Sequence, residues 1–172
     1  MSLISSFWIL KKSKLDNLLS ESKPVEKKVG KKPLVPFFKQ KTEVIYPWFD
    51  YLKENAHEEN EYRFSGMVMT DFDLMLMDSF SSIFEAALDQ SNVLSEYCGG
   101  SAAILDYEGA QQIIKNISNS NFTESDVTKF YDEDEKPEDW RFDPQDLLAT
   151  GEHIKQWCNK VTPNNLGILI IG

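Results

Sequence analysis

The chain has 172 residues, 41 % of them hydrophobic and 12 % aromatic, which supports a packed interior and excludes a disordered chain. Residues 1–53 carry 11 Lys and Arg against 5 Asp and Glu, and the remainder carries 7 against 23, so a net charge of −10 divides into +6 and −16. A body of that sign repels phosphate backbones and anionic lipid, so no nucleic acid and no membrane partner is expected outside the basic N-terminal part, and a basic protein is the matching partner; the same acids also serve solubility.

One domain over 1–172 is expected at this length. The longest apolar run, 166–171, is far short of the roughly 20 residues that cross a bilayer. MSLISSFWILKKSK places its lysines after the apolar stretch and offers no small-residue cleavage site, so a cytoplasmic location is expected. Cys98 and Cys158 stand sixty positions apart, outside any CxxC spacing, and are expected to form no bridge and hold no metal.

In chain order, LISSFWIL (3–10) predicts a strand that stops at the lysines. A short helix follows, with Ser13 as cap, Asp16 in the capping-box position, and Leu15, Leu18 and Leu19 as its apolar side. Residues 22–42, rich in lysine and proline, predict a loop or insertion. Pro47 opens a helix bearing Trp48, Phe49, Tyr51 and Leu52, which the polar stretch KENAHEENEYR ends. Thr70 and Asp73 have capping-box spacing, and Phe72, Leu76, Phe80, Ile83 and Ala87 recur at steps of three and four, predicting a helix over 71–89.

CGGSAAILDY (98–107) predicts a glycine turn entering a short buried strand, after which Asp106 caps a helix carrying Ala110, Ile113, Ile114 and Ile117. The Gly-Gly pair lacks the spacing of a phosphate loop and precedes the strand instead of following it. Thr123 and Asp126 open a helix ending near Phe130 and Tyr131. Asp143 and Pro144 open the next, with Leu147, Gly151, Ile154, Cys158 and Val161 along one face. LGILIIG, apolar without alternation, predicts a strand buried on both faces and central in a sheet.

Catalytic and metal chemistry find little support. His153 and Cys158 lie on different sides of their helix, no GxSxG occurs, and neither His57 nor His153 has a local partner motif. No enzyme, cofactor or metal is therefore expected. Residues 130–140, FYDEDEKPEDW, hold six acids. Asp132, Asp134 and Asp139 do not form a calcium loop, because the glycine of its sixth position is missing and Pro137 interrupts the register. Two readings remain: a solvated loop whose rings turn inward, or a partner-binding element in which Phe130, Tyr131, Asp132, Glu133, Asp134, Glu135, Glu138, Asp139 and Trp140 face a basic surface.

Four stretches carry a family resemblance: MSLISSFWILKKSKLDNLLS at the start, YPWFDYL (46–52), SAAILDYEGAQQIIKNI (101–117) and the ending NNLGILIIG. Together they resemble the YfbM-like family of small bacterial cytosolic proteins, which has no assigned biochemical function. Residues 22–42 and EYRFSGMVM (61–69) depart from its pattern, and no catalytic residue carries over. Family members resemble proteins found beside toxin genes, which implies an immunity role.

The expected architecture is an α+β single domain, a small mixed sheet of about three strands covered by about six helices. The expected function is non-catalytic binding of a basic protein, most concretely immunity against a cationic toxin through the acidic surface. The alternative is a small-ligand binder or enzyme using a cleft beside helix 71–89.

Overall fold

A computed structural model describes residues 4–28, 42–59 and 62–172, which form an α+β fold. The main sheet has the order β4-β1-β6-β5, built from β1 (Ser5–Lys11), β4 (Ala56–Glu59), β5 (Ser101–Leu105) and β6 (Asn165–Ile171). Every pairing in it is antiparallel, so the sheet is not the mixed one expected, and it has four strands instead of three. The missed strand is β4, AHEE, whose polar residues carry no strand signal. It forms because Phe7 to Leu10 present an edge to which Glu59 to Ala56 can bond.

Alternation along the strands divides the core in two. Phe7, Ala103, Leu105, Leu169 and Ile171 face one side, where α3 (Gly66–Met77), α5 (Tyr107–Ser120), α6 (Glu124–Glu133) and α7 (Pro144–Cys158) pack. Trp8, Leu10, Ala102, Ile104, Leu166, Ile168 and Ile170 face the other, against α1 (Leu15–Glu21), α2 (Trp48–Asn55) and α4 (Gln90–Cys98). Strand β6 is central and buried from Leu166 to Ile171, as its unbroken apolar run requires. A Cβ on Gly167 would clash with Phe7 Cζ and lie 2.8 Å from Val161 Cγ2. Its absence lets the Phe7 ring lie across the strand and stack on Trp157, centroids 5.2 Å apart.

The two outer edges are treated differently. On β5, Ile104 N–H donates to Ser91 Oγ (2.8 Å) and Ala102 N–H to Ser95 Oγ (2.9 Å), while Leu88 N–H donates to Ile104 O (2.8 Å). Hydroxyls of α4 thus replace a neighbouring strand. At the other edge β4 is short and carries His57 and Glu58 outward, which disfavours pairing with another chain.

Local signals place four helix starts well. Asp106 accepts from Gly109 N–H (2.9 Å), Asp143 from Gln145 N–H (2.8 Å), and Thr123 with Asp126 forms a complete capping box. Helix α2 begins right after Pro47. Elsewhere the expectation fails. Ser13 lies in a 3-10 turn (Lys12–Lys14) and α1 has no side-chain cap. The expected loop 22–42 contains β2 (Val25–Lys28), which pairs with β3 (Thr42–Ile45) in a separate exposed two-stranded sheet, while residues 29–41 lie outside the described residues.

The helix expected over 71–89 is α3, which begins earlier and stops at Met77. Its N-cap is Ser65, so Thr70 and Asp73 form no capping box. Asp73 Oδ1 instead accepts Ile83 N–H (2.6 Å), and Asn116 donates its amide to Ser81 O (3.0 Å). These bonds from distant residues hold 78–89 in turns. Ile83 still enters the core, with Phe80, Phe84 and Ala87 packed against it, so the apolar spacing persists without the helix.

Candidate functional site

The acidic segment begins in the last turn of α6. The helix closes on Glu135, whose φ of 50° is left-handed: Lys136 N–H donates to Tyr131 O (3.1 Å) and Glu135 N–H to Asp132 O (3.3 Å). This is a Schellman closure with glutamate where glycine is usual. The other left-handed helix ends use Gly99 after α4 and Asn121 after α5, residues that accept this conformation readily. Pro137 and a 3-10 turn at Glu138–Trp140 carry the chain on to Arg141.

The turn is fastened to the body through Asp71 of α3, itself buried. Asp71 Oδ2 accepts the Tyr131 hydroxyl (3.1 Å) and pairs with the Lys136 ammonium. That ammonium lies 5.1 Å from the Tyr131 ring centroid and 5.5 Å from that of Phe142, and its side chain is 14 % exposed. Arg141 closes the turn from the other side, its Nε donating to Lys136 O (2.7 Å) and its Nη1 pairing with Asp132 Oδ1 (2.6 Å). Burial pushes the Tyr131 phenol upward, a shift moderated by the Phe142 N–H it accepts and reinforced by Asp71. Tyr131 is a neutral donor.

The expected partner-binding residues therefore separate. Tyr131, 2 % exposed, is removed from the contact set, because its ring packs in the core and its hydroxyl is spent on Asp71. Phe130 is half-buried, leaning on Tyr131 at 5.4 Å between centroids. Asp132 is exposed but neutralised by Arg141, and Glu133 sits 3.5 Å from Lys129. Asp134, Glu135, Glu138 and Asp139 are exposed, and Trp140 is 63 % exposed, far more than a tryptophan that anchors a loop. Of the bracketing rings, Tyr131 turns in and Trp140 turns out.

A depression of about 400 Å³ opens beside this turn, lined by Asp78, Phe130, Glu133 and Asp134. Its lining thus combines three carboxylates with one phenyl ring. Asp78 was not foreseen, since the sequence places it inside an expected helix; it lies here because α3 ends one residue before it. Asp71 also escaped notice, although a carboxylate within the apolar run of α3 is the kind of signal that could have found it.

Other side-chain groupings are less complete. The chain's two histidines meet in a groove of about 590 Å³ with Glu58, Glu59 and Lys160, an approach across 96 positions that no spacing reveals. Glu59 pairs with Lys160 and lies 3.9 Å from His57 Nε2. Phe72, Ile117, Phe122 and Gly151 floor a cleft of about 330 Å³ beside α3, with Glu152 and Lys155 paired at its rim (2.5 Å). Cys158 is fully buried and its thiol is pushed up to about 12 by burial, which leaves it a small apolar side chain; Cys98 is half-buried, raised for the same reason, and also free. Among the described residues no three His, Cys, Asp or Glu side chains are arranged to hold a metal ion, and no helix is long and apolar enough to cross a membrane.

Comparison of the chain with family models, with curated proteins and with solved structures finds no match.

Proposed function

We propose that this is a non-catalytic binding protein that receives a cationic protein on the turn after α6. The observation that carries the reading is the depression that Asp78, Glu133 and Asp134 line together with Phe130. Carboxylates attract a lysine or arginine side chain, and a phenyl face adds cation–π attraction worth about 0.5–1 kcal/mol where solvent reaches it. Trp140, exposed further along the same segment, supplies the apolar anchor that such interfaces favour. Glu135 supports the same reading, since a glutamate in a left-handed glycine position costs stability that its outward carboxylate can repay in recognition.

The resemblance to the YfbM-like family gives the proposal its concrete form, an immunity protein of the bacterial cytoplasm that covers a cationic toxin. The test is association with immobilised decalysine at low and high salt. Replacing Asp132, Glu133, Asp134 and Glu135 by lysine is expected to slow association and flatten its salt dependence. On-rates unchanged at low salt would remove this turn from the interface. The cleft beside α3 motivates a second reading as a small-ligand binder, for which ligand-induced shifts in the resonances of Phe72 and Phe122 are the corresponding measurement.

A further inference from the structure

We infer that Asp71 is a specificity-determining positioning residue for that turn: by drawing Lys136 inward it keeps that ammonium off the recognition face, an inference that rests on the reading just proposed. Residues 131–140 hold six acids and one cation, Lys136. A lysine in the middle of an acidic turn would ordinarily extend outward and neutralise its neighbours. Here it cannot. Its ammonium is bound to Asp71, sixty-five residues away on α3, and is flanked by the Tyr131 and Phe142 rings.

The backbone is shaped to bring it there. The left-handed Glu135 reverses the chain after α6, aims its own side chain outward and directs the next one, Lys136, beneath the turn. Arg141 then holds the Lys136 carbonyl and occupies Asp132. This cation goes inward while Asp134, Glu135, Glu138 and Asp139 stay exposed, and the two cations left at the face, Lys129 and Arg141, are paired with Glu133 and Asp132. Asp71 takes no place in the depression lined by Asp78, Phe130, Glu133 and Asp134, so its effect on a partner is exerted through Lys136.

The test compares the wild type with Asp71→Asn, Lys136→Met and the double variant, each checked for folding by its melting curve. Two readouts are taken. The first is acetylation of lysines under limiting reagent, read by mass spectrometry. In the wild type Lys136 is expected to react far more slowly than Lys129, whose side chain is 72 % exposed, and in Asp71→Asn to approach the Lys129 rate. The second is the association rate with decalysine at low salt. A unit positive charge released a few ångströms from the contact is expected to slow it about fivefold in Asp71→Asn. The double variant, which lacks both the buried pair and the released cation, is expected to recover the wild-type rate. A merely structural role for Asp71 predicts no such recovery.

Equal labelling of Lys136 and Lys129 in the wild type, or a double variant as slow as Asp71→Asn, overturns the inference and leaves the proposed function standing. A wild type that does not bind decalysine while Lys136 labels slowly overturns the proposed function and, with it, the role assigned to Asp71.

Discussion

Replacing Asp73 by asparagine probes the one carboxylate that, among the described residues, the fold buries without a cation against it. Asp73 is 7 % exposed, and burial raises its pKa to about 6, a shift opposed by the Ile83 N–H it accepts and increased by Glu85. Its unfolded value is near 3.8. The folded state therefore binds the proton more tightly than the unfolded chain, and the charged form is the one the fold tolerates poorly. Stability from this group is present in full below the unfolded pKa and is lost as pH rises through about 6. A shift of about two units corresponds to roughly 3 kcal/mol at ~1.4 kcal/mol per unit. About half of that loss falls between roughly pH 5 and 7, the range open to measurement above the isoelectric point near 4.7. Asparagine keeps an oxygen for the Ile83 N–H, which now donates across 2.6 Å, and carries no charge at any pH. The assay is urea unfolding followed by tryptophan fluorescence at a series of pH values. The stability of the variant minus that of the wild type is expected to rise by about 1–1.5 kcal/mol from pH 5 to 7. A difference that stays flat, or falls with pH, would refute the assignment of a destabilising buried charge to Asp73.

Glu135→Gly relieves the left-handed strain at the end of α6 and is expected to raise stability by about 0.5–1 kcal/mol while slowing association with decalysine, the two effects having opposite sign. A loss of stability in its melting curve would show that Glu135 is not strained. Gly167→Ala forces a methyl into the Phe7 ring, and overpacking of this kind costs about 1–3 kcal/mol; a Phe7→Leu change in the same chain should recover part of it, measured by chemical denaturation. Deleting 166–172 removes Leu166, Ile168, Leu169, Ile170 and Ile171, all 4 % exposed or less, each worth roughly 1.5–3 kcal/mol. That total matches or exceeds the net stability of a typical domain, about 5–15 kcal/mol, so an insoluble product is expected, with Ile170→Asp behaving alike; a soluble truncation with an unchanged melting temperature would contradict the central place of β6.

Much of the molecule was legible because its cause is local. Asp106, Thr123 with Asp126, and Asp143 with Pro144 satisfy the first N–H groups of their own helices, so these starts follow from residues two or three positions away. Leu147, Gly151, Ile154 and Cys158 are buried because one face of α7 met the core, with Val161 buried just past the end of that helix, and β6 is central because a strand without a polar face has nowhere else to go. Periodicity reports burial, however, and not which backbone groups bond to which. Over 71–89 it correctly marks side chains that go inward, yet Asp73 and Asn116 take the backbone of 78–89 away from the helix. Strand β4 and the serine-capped edge of β5 likewise exist only because another element presents unpaired groups to them.

The acidic turn divides in the same way. Its charge and bracketing rings are visible in eleven consecutive residues. The fate of each ring and charge was decided by partners that chain order does not announce: Asp71, sixty residues from Tyr131, and Asp78, which α3 leaves exposed by ending early. A carboxylate's field and a hydrogen bond act over a few ångströms in space, whereas sequence records neighbours along the chain. Only the packing of α3 and α6 on α7 brought these groups within reach, drawing Tyr131 and Lys136 inward and leaving Trp140 and the remaining acids to solvent.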